Sequence, residues 1–380
     1  MNTLEIKSHS AEMLLKTVIE NAISKNASDI HIEPQKNQVR IRFRINGILE
    51  DVCFLPNTVL SSFVIRMKVI SHMDVGEKRL PQDGNATIEI DDNRYDLRFS
   101  LIPSLYGECV TIRILPEKLF FIDNFDLGMT EKQKEIFEHC LLKRKGLILT
   151  SGSTGSGKTS TLYSALKFLN KNKLHILSIE DPIEYKIEGI TQVEVNEKSG
   201  LTFEKGLRAF VRHDPDVIMI GEIRDAETAK IAVQSALTGH LVLSSVHTDE
   251  AGKVPFRLID MGIDAKILSE ALTLVISQKL LGTLSDKDRK EYKITKEIIE
   301  KYKLPPDMEN TQVYLNNGKV KNRIGAFEML YVNNEARDAI RNKDNSETFK
   351  NLIKKQGTPT LKEAILFHVK QGTVSFDELL

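Results

Sequence analysis

The segment at residues 152–159, Gly-Ser-Thr-Gly-Ser-Gly-Lys-Thr, has the residue types and spacing of a phosphate-binding loop. It follows the apolar run 146–150 and precedes apolar residues at helical spacing. Glycines let the backbone curl around phosphate oxygens, and the helix N-terminus carries partial positive charge. Lys158 adds a mobile cation, and Thr159 offers a hydroxyl to magnesium, whose other ligands include water. The segment therefore predicts binding of a nucleoside triphosphate with Mg²⁺ through Ser153, Thr154, Gly155, Ser156, Gly157, Lys158, Thr159 and Ser160.

Three later segments place polar residues at the ends of apolar runs. Residues 216–222 form an apolar run that ends in Gly-Glu, an arrangement typical of a Walker B carboxylate, so Glu222 is predicted to hold magnesium through water or to orient the attacking water. Glu184 ends the acidic segment 178–184 and is predicted to polarise the same water, although acidic turns after strands are common. His247 ends a further apolar run and is predicted to contact the γ phosphate, although a lone histidine is more often structural.

Composition limits the classes of function. The chain has 380 residues, with 53 basic and 53 acidic side chains, so no global positive field indicates a nucleic-acid partner. Its three cysteines are far apart and form no C-x-x-C pair, which indicates reduced thiols. The N-terminus lacks the features of a signal peptide, and no run approaches the roughly 20 apolar residues of a membrane span. These features predict a soluble, cytoplasmic protein.

The alternation of apolar and polar residues predicts four regions. Residues 1–118 are predicted to form an α+β domain, 119–145 a linker and lead-in, 146–283 an α/β nucleotide domain, and 284–380 a smaller, mainly helical region. Within the nucleotide domain, helices such as Ala226–Leu237 separate the apolar runs, which indicates a parallel sheet with both faces covered. The predicted strands are Leu147–Thr150, His175–Ile179, Asp216–Ile220 and Leu241–Val246.

The ordered motifs resemble those of the GspE/PilB secretion ATPases, which serve type II secretion, type IV pilus assembly and competence pseudopili. The resemblance rests on the phosphate loop, the acidic segment 180–184, the run 207–225 and the histidine segment 238–248. It extends to the N-terminal segments 27–34, 76–84 and 107–108, and so covers nearly the whole chain.

The resemblance implies a fold and a mode of assembly. The fold would be a RecA-like P-loop domain with an α+β, PAS-like N-terminal domain and a small helical C-terminal appendage. The working form would be a cytoplasmic homo-hexamer at the inner face of the membrane, with an inner-membrane platform protein as partner, no specific nucleic acid and only indirect membrane association.

The resemblance also implies roles for individual side chains. Lys158, Glu222, Glu184 and His247 would be the catalytic residues by their motif positions. Arginines of the N-terminal domain reach the phosphates in this family, and others lie at or near subunit contacts. The matching positions are Arg98 and Arg113 for the first group, and Arg208, Arg212 and Arg224 for the second.

The chain departs from the family pattern in two respects. Larger members carry an additional N-terminal docking domain, whereas this sequence begins almost at the N-domain helix. Members commonly carry a four-cysteine zinc motif, whereas residues 281–322 contain no cysteine, so no structural zinc is predicted. Asp29, His31 and Glu33 share one strand face that suggests a metal site, but a solvated or interface face fits them better.

Alternative functions follow from parts of the same pattern. A retraction or conjugation-type motor shares the nucleotide motifs, and a non-hydrolysing ATP-binding scaffold would share the phosphate loop. A small-molecule kinase would not account for residues 208–225 or for the N-terminal domain. A DNA motor is expected to show basic and aromatic stripes, which this neutral chain without tryptophan does not favour.

Overall fold

The chain folds as two compact units, residues 1–121 and 122–380. The computed structural model describes residues 10–45, 47–90, 93–116, 127–171, 173–285, 289–302, 304–316 and 323–379. Among these residues, no helix combines the length and the apolar character needed to cross a membrane.

The first unit is an antiparallel sheet covered on one face by two helices. Its strand order is β3-β2-β1-β6-β5-β4. Alternate residues of β2, such as Val39, Ile41 and Phe43, are fully buried beneath the helices, as the alternating pattern predicts. The elements are α1 (Ala11–Ser24), β1 (Ala27–Pro34), β2 (Gln38–Ile45), β3 (Ile48–Pro56), α2 (Leu60–Ile70), β4 (Gln82–Ile90), β5 (Asn93–Ser104) and β6 (Gly107–Pro116).

The other face of this sheet carries ion pairs. Asp29 Oδ1 lies 3.1 Å from Arg113 Nε, and Glu33 is paired with Arg42. His31 Nδ1 lies 3.4 Å from Thr111 Oγ1 on β6. Asp29 and Glu33 are thus balanced by arginines. Among the described residues, no group of three potential metal-ligating side chains occurs.

The second unit is built on a seven-stranded sheet. Its order is β15-β12-β7-β11-β10-β8-β9, and each strand pair is parallel except β12 with β15. The elements are α3 (Glu131–Leu142), β7 (Gly146–Ser151), α4 (Lys158–Asn170), β8 (Ile176–Glu180), β9 (Thr191–Glu194), α5 (Phe203–Phe210), β10 (Val217–Ile220), α6 (Ala226–Leu237), β11 (Leu241–Val246), α7 (Val254–Asp260), α8 (Ala265–Ala271), β12 (Leu272–Gly282), β13 (Arg289–Lys293), α9 (Lys296–Tyr302), β14 (Gln312–Asn316), β15 (Arg323–Tyr331), α10 (Asn334–Asn342), α11 (Ser346–Lys355) and α12 (Leu361–Lys370).

Both faces of this sheet are buried, which explains its continuous apolar strands. Leu147 and Leu149 of β7 pack into one cluster, whereas Ile148 between them packs into the cluster on the opposite face. The four predicted strands correspond to β7, β8, β10 and β11, with ends that agree within one residue. The predicted linker contributes α3, whose N-terminus is fixed by a capping box between Thr130 and Gln133.

The C-terminal region contributes more than helices. Strand β15 is hydrogen-bonded along β12 and completes the central sheet, so residues beyond 283 belong partly to the nucleotide domain. Its apolar run is continuous, because β15 is covered on both faces, and periodicity alone does not distinguish such a run from a buried helix. Strands β13 and β14 form a separate two-stranded sheet.

An apolar cluster holds the region around β13 and β14 together. Ile294, Met308 and Val313 are fully buried there and pack with Val369 and Val374 from the chain's C-terminal end. The resemblance described above implies that related chains commonly carry a zinc motif in this stretch. Hydrophobic burial therefore stabilises the described part of this region.

Replacing Met308 by alanine tests this account of the region. Met308→Ala is expected to lower the free energy of unfolding by about 2–5 kcal/mol, because it leaves a cavity in a packed cluster. Thermal unfolding of the full chain, with and without a metal chelator, measures the effect, with Lys290→Ala on exposed β13 as the control. A fall in the wild-type melting temperature on adding the chelator would contradict it.

Candidate nucleotide site

Parallel pairing brings the ends of four strands to one edge of the second sheet. Thr150 and Ser151 at the end of β7 pair with Ser245 and Val246 at the end of β11. Strand β10 pairs in parallel with β11 on one side and β8 on the other. The segments that follow these strands carry the predicted phosphate loop, acidic residues and histidine, so the sheet gathers them in one place.

The phosphate loop connects β7 to α4. Gly157 is the N-cap of α4, with φ of 89°, in the left-handed region that favours glycine. A Cβ at Gly152 would lie 2.5 Å from both the carbonyl oxygen of Gln278 and Ser156 Oγ, so a side chain there would displace the loop. The loop is thus a tight cradle that opens onto the N-terminus of a 13-residue helix, and this geometry fits a phosphate group.

Lys158 lies at the start of α4 with its ammonium turned back over the loop. Its Nζ donates to the carbonyl oxygens of Gly152 at 2.7 Å and Ser153 at 3.0 Å. Burial lowers the pKa of this ammonium, and the nearby Glu222 carboxylate opposes that effect. Thr159 is the next residue on the first turn of the helix and is exposed. Both residues lie on the first turn of α4, directly after the phosphate loop.

Glu222 is fixed between the ends of β8 and β11 by its neighbours' backbones. The N–H of Gly221 donates to the carbonyl oxygen of Ile179 at 2.8 Å, and the N–H of Ile223 donates to the carbonyl oxygen of Ser245 at 2.9 Å. Ser245 Oγ donates to the carbonyl of Gly221 at 2.8 Å. The side chain of Glu222 is 17% exposed, so most of it is shielded from solvent.

Two basic side chains flank the Glu222 carboxylate. Arg224 forms an ion pair with one oxygen, and His247 Nε2 lies 3.1 Å from the other. Burial alone would raise the pKa of Glu222, but hydrogen bonds and charge from Arg224 and His247 outweigh it and lower the pKa. Arg224 also lies 3.5 Å from Asp181 in the acidic segment. The carboxylate is therefore kept ionised.

The acidic segment at the end of β8 contains two glutamates, Glu180 and Glu184, in different environments. Glu180 is 3% exposed and accepts hydrogen bonds from three side chains, so it lies inside the fold. Glu184 is half-buried, and its backbone N–H donates to the hydroxyl of Tyr163 on α4 at 3.2 Å. Glu184 is thus the more exposed member of this pair.

The five arginines predicted from the sequence lie in three different parts of the structure. Arg224 contacts Glu222, whereas Arg208 is exposed and pairs with Glu204 one turn earlier on α5, at 3.0 Å. Arg212 follows that helix and is exposed. Arg98 and Arg113 lie directly opposite each other on β5 and β6 of the first unit, on the ion-paired face of its sheet. Asp225, beside Arg224, caps α6 by accepting the N–H of Thr228 at 2.8 Å.

Gln278 is a site residue that sequence reasoning missed. It lies on β12, is 3% exposed, and its amide nitrogen donates to the carbonyl oxygen of Ser156 in the phosphate loop at 2.8 Å. Its amide oxygen accepts from the hydroxyl of Thr161 on α4 at 2.8 Å. The side chain joins the loop to the helix that follows it. A glutamine within the apolar run 272–281 is the only signal of this role in the sequence.

A family model for "Type II/IV secretion system protein" matches residues 5–380. The chain belongs to this family. It is 40% identical over 373 residues to type II secretion system protein E of Aeromonas hydrophila, covering 97% of this chain and 74% of that protein. It is 38% identical to the type IV pilus assembly ATPase PilB of Thermus thermophilus, covering 99% of this chain and 43% of that protein. The family assignment makes this chain a secretion-type ATPase, an enzyme that uses nucleotide.

Solved structures share its fold. The pilus retraction motor PilT, whose crystal structure contains bound ADP, is 25% identical, with a TM-score of 0.69 and coverage of 96% of this chain and 95% of PilT. The ATPase DotB of Legionella pneumophila is 20% identical, with a TM-score of 0.73 and coverage of 100% and 98%. These neighbours support the expected RecA-like fold.

Replacing Gln278 by methionine tests its support of the phosphate loop. Gln278→Met is expected to weaken ATP binding about 5- to 150-fold, because the buried Ser156 carbonyl and Thr161 hydroxyl lose their partner at about 1–3 kcal/mol. Equilibrium titration with ATP measures the Kd. Lys279→Met, on the next residue of β12, is the control and should bind ATP like the wild type. Equal Kd values for the two variants would refute the role of Gln278.

Removing Arg224 tests the electrostatics around Glu222. Arg224 lowers the pKa of this carboxyl, so Arg224→Gln raises it, and Glu222 becomes protonated at a higher pH as the solution is acidified. The acidic limb of kcat plotted against pH is expected to move to higher pH. Lys230→Gln, which removes an exposed charge paired with Glu227, should leave the limb in place. An unmoved limb in Arg224→Gln would show that Arg224 does not set this ionisation.

Proposed function

We propose that this chain hydrolyses ATP to power assembly of a type IV pilus or pseudopilus, or type II secretion. The observation that carries the proposal is the convergence of Lys158, Glu222 and His247 at one edge of a parallel sheet, in a chain of the secretion family. We further propose a homo-hexamer at the cytoplasmic face of the inner membrane, acting on a platform protein.

The chain's own groups divide the work of phosphoryl transfer. The loop and the N-terminus of α4 bind the phosphates, while Lys158 offsets the negative charge that spreads over the transferred group. Magnesium, when bound with ATP, supplies positive charge to the phosphate oxygens, and Thr159 would hold it directly and Glu222 through water. ATP and water yield ADP and inorganic phosphate, so the remaining task is to orient the water and accept its proton.

Carboxylates near the loop would orient the water, and cations would stabilise the negative charge on the phosphates. Glu222 and Glu184 orient the water for in-line attack, and His247, next to Glu222, contacts the γ phosphate. Arg98, Arg113, Arg208, Arg212 and Arg224 are proposed to supply charge to the phosphates or to subunit contacts. Arg98 and Arg113 lie opposite each other on one sheet face, which supports a role in contacting the phosphates. Arg208 and Arg212 are exposed, which supports a role at subunit contacts.

The direction of the motor has two candidates. Relatives at 38–40% identity are named for secretion and pilus assembly, which supports assembly. The retraction motor PilT matches at 25% identity over nearly its whole length, which keeps retraction as the second candidate. Intact Lys158, Glu184 and Glu222 argue against a scaffold that binds ATP without turnover.

ATP turnover measured alongside particle mass tests the proposal. Hydrolysis by a hexamer is expected to require magnesium and to fall at least about 100-fold in Lys158→Ala and Glu222→Gln, because each removes charge that stabilises the transition state. Lys205→Ala is a matched control, since this lysine also donates to a loop glycine carbonyl, that of Gly200 at 2.8 Å. Glu227→Gln is the surface control for the carboxylate.

Two outcomes would contradict the proposal. A monomer that binds ATP without turnover, even with lipid and membrane partner added, would indicate a scaffold. Unchanged turnover in Lys158→Ala would show that hydrolysis takes place elsewhere.

A further inference from the structure

A buried tyrosine links the phosphate-loop helix to the acidic segment. Tyr163 lies on α4 and is 5% exposed. Its hydroxyl contacts three groups: the carboxylate of Glu180, the backbone N–H of Glu184 at 3.2 Å and the backbone N–H of Tyr185 at 3.3 Å. The ring of Tyr185 packs edge-on against that of Tyr163, with centroids 6.1 Å apart. One side chain thus holds two consecutive residues of the acidic segment.

The chemistry of these groups fixes the direction of each hydrogen bond. A backbone N–H can only donate, so the Tyr163 oxygen accepts from both Glu184 and Tyr185. The phenol has a single hydrogen, which is therefore donated to Glu180. This oxygen uses its one donor and both acceptor positions, and it has no capacity left for another partner.

Glu180 is arranged to receive that hydrogen. One of its oxygens accepts from Ser178 Oγ at 2.6 Å and from Gln192 Nε2 at 3.2 Å, which leaves the other oxygen for Tyr163. Burial raises the pKa of Tyr163, and the neighbouring Glu180 charge raises it further, so the phenol keeps its proton. Glu180 therefore determines which way the Tyr163 hydroxyl points.

The position of Tyr163 on α4 gives this network a consequence for the site. Lys158 is the first residue of the same helix, five residues before Tyr163. A helix of this kind is stiff over one and a half turns, so the distance from Lys158 to the Tyr163 hydroxyl changes little. The backbone of Glu184 is therefore tied to the element that binds phosphate. Without the hydroxyl, its N–H group and that of Tyr185 lose the hydrogen bonds to Tyr163.

We propose, on the basis of the role given to Glu184 above, that Tyr163 is a positioning residue for hydrolysis. Its hydroxyl, oriented by Glu180, holds the backbone of the acidic segment so that the Glu184 carboxylate stays aligned with the phosphate loop. ATP binding depends on the loop and Lys158, so the tyrosine acts on turnover rather than on binding.

A double-mutant cycle on turnover tests this positioning role. The variants are Tyr163→Phe, Glu184→Gln and the two combined, measured in the steady state over a range of ATP concentrations, with single turnovers at excess enzyme for any variant too slow for that assay. Tyr163→Phe is expected to lower kcat about tenfold or more while KM for ATP stays within about threefold, the pattern of an interaction that serves the transition state. The double variant is expected to be no slower than Glu184→Gln alone, because both changes act through one carboxylate.

Two further variants guard against a purely structural effect. Tyr331→Phe removes a tyrosine hydroxyl that contacts Lys143 at 2.8 Å on the other side of the unit, and it should leave kcat unchanged. Glu180→Met removes the acceptor of the Tyr163 hydrogen while keeping the tyrosine, so it should lower kcat and again add nothing to Glu184→Gln. This variant also tests the proposal if Tyr163→Phe does not fold, with thermal unfolding and ATP titration reporting the fold of each protein.

The outcomes separate this role from the proposed function. If Glu184→Gln turns over ATP at the wild-type rate, the role of Glu184 fails and the positioning role fails with it. If Glu184→Gln is slow but Tyr163→Phe is as fast as the wild type, only the positioning role fails. A combined variant slower by the product of the two single effects would show that Tyr163 acts independently of Glu184.

Discussion

Parallel hydrogen bonding among β7, β11, β10 and β8 is the constraint on which the candidate site depends. Strands that run in the same direction end at the same edge, so four segments far apart in sequence deliver their side chains to one place. Both faces of the sheet must be covered for this arrangement to persist in water, and the two apolar clusters of the second unit provide that cover. The chemistry of the loop is thus a consequence of sheet topology.

The charged side chains of the site keep their charge because each lies close to a group of opposite charge or to a hydrogen-bond partner. Lys158 is balanced by Glu222 and by loop carbonyls, and Glu222 by Arg224 and His247. A buried charge without such partners would shift its pKa and lose its charge. The same matching occurs on the polar face of the first sheet, where Asp29 and Glu33 face arginines. The candidate site therefore depends on positioned charged side chains more than on any single nucleophile.

Sequence alone predicted the elements that carry local signals and missed those that depend on distant partners. The phosphate loop has its own spacing, and the strands β7, β8, β10 and β11 are apolar runs between helical segments, so both could be read directly. Gln278 and Tyr163 carry no local pattern, because their importance comes from contacts made across the fold. Strand β15 was assigned to a helical region because a run that is buried on both faces shows no period of two.

Strand β12 is eleven residues long, about 35 Å when extended, and it contacts two regions at once. Its side chain Gln278 holds the phosphate loop, while its backbone is bonded residue by residue to β15, which leads into the C-terminal helices. A strand within such a ladder cannot slide without breaking many hydrogen bonds together. Strand β12 therefore joins the phosphate loop and the segment that leads into the C-terminal helices through one continuous hydrogen-bonded element.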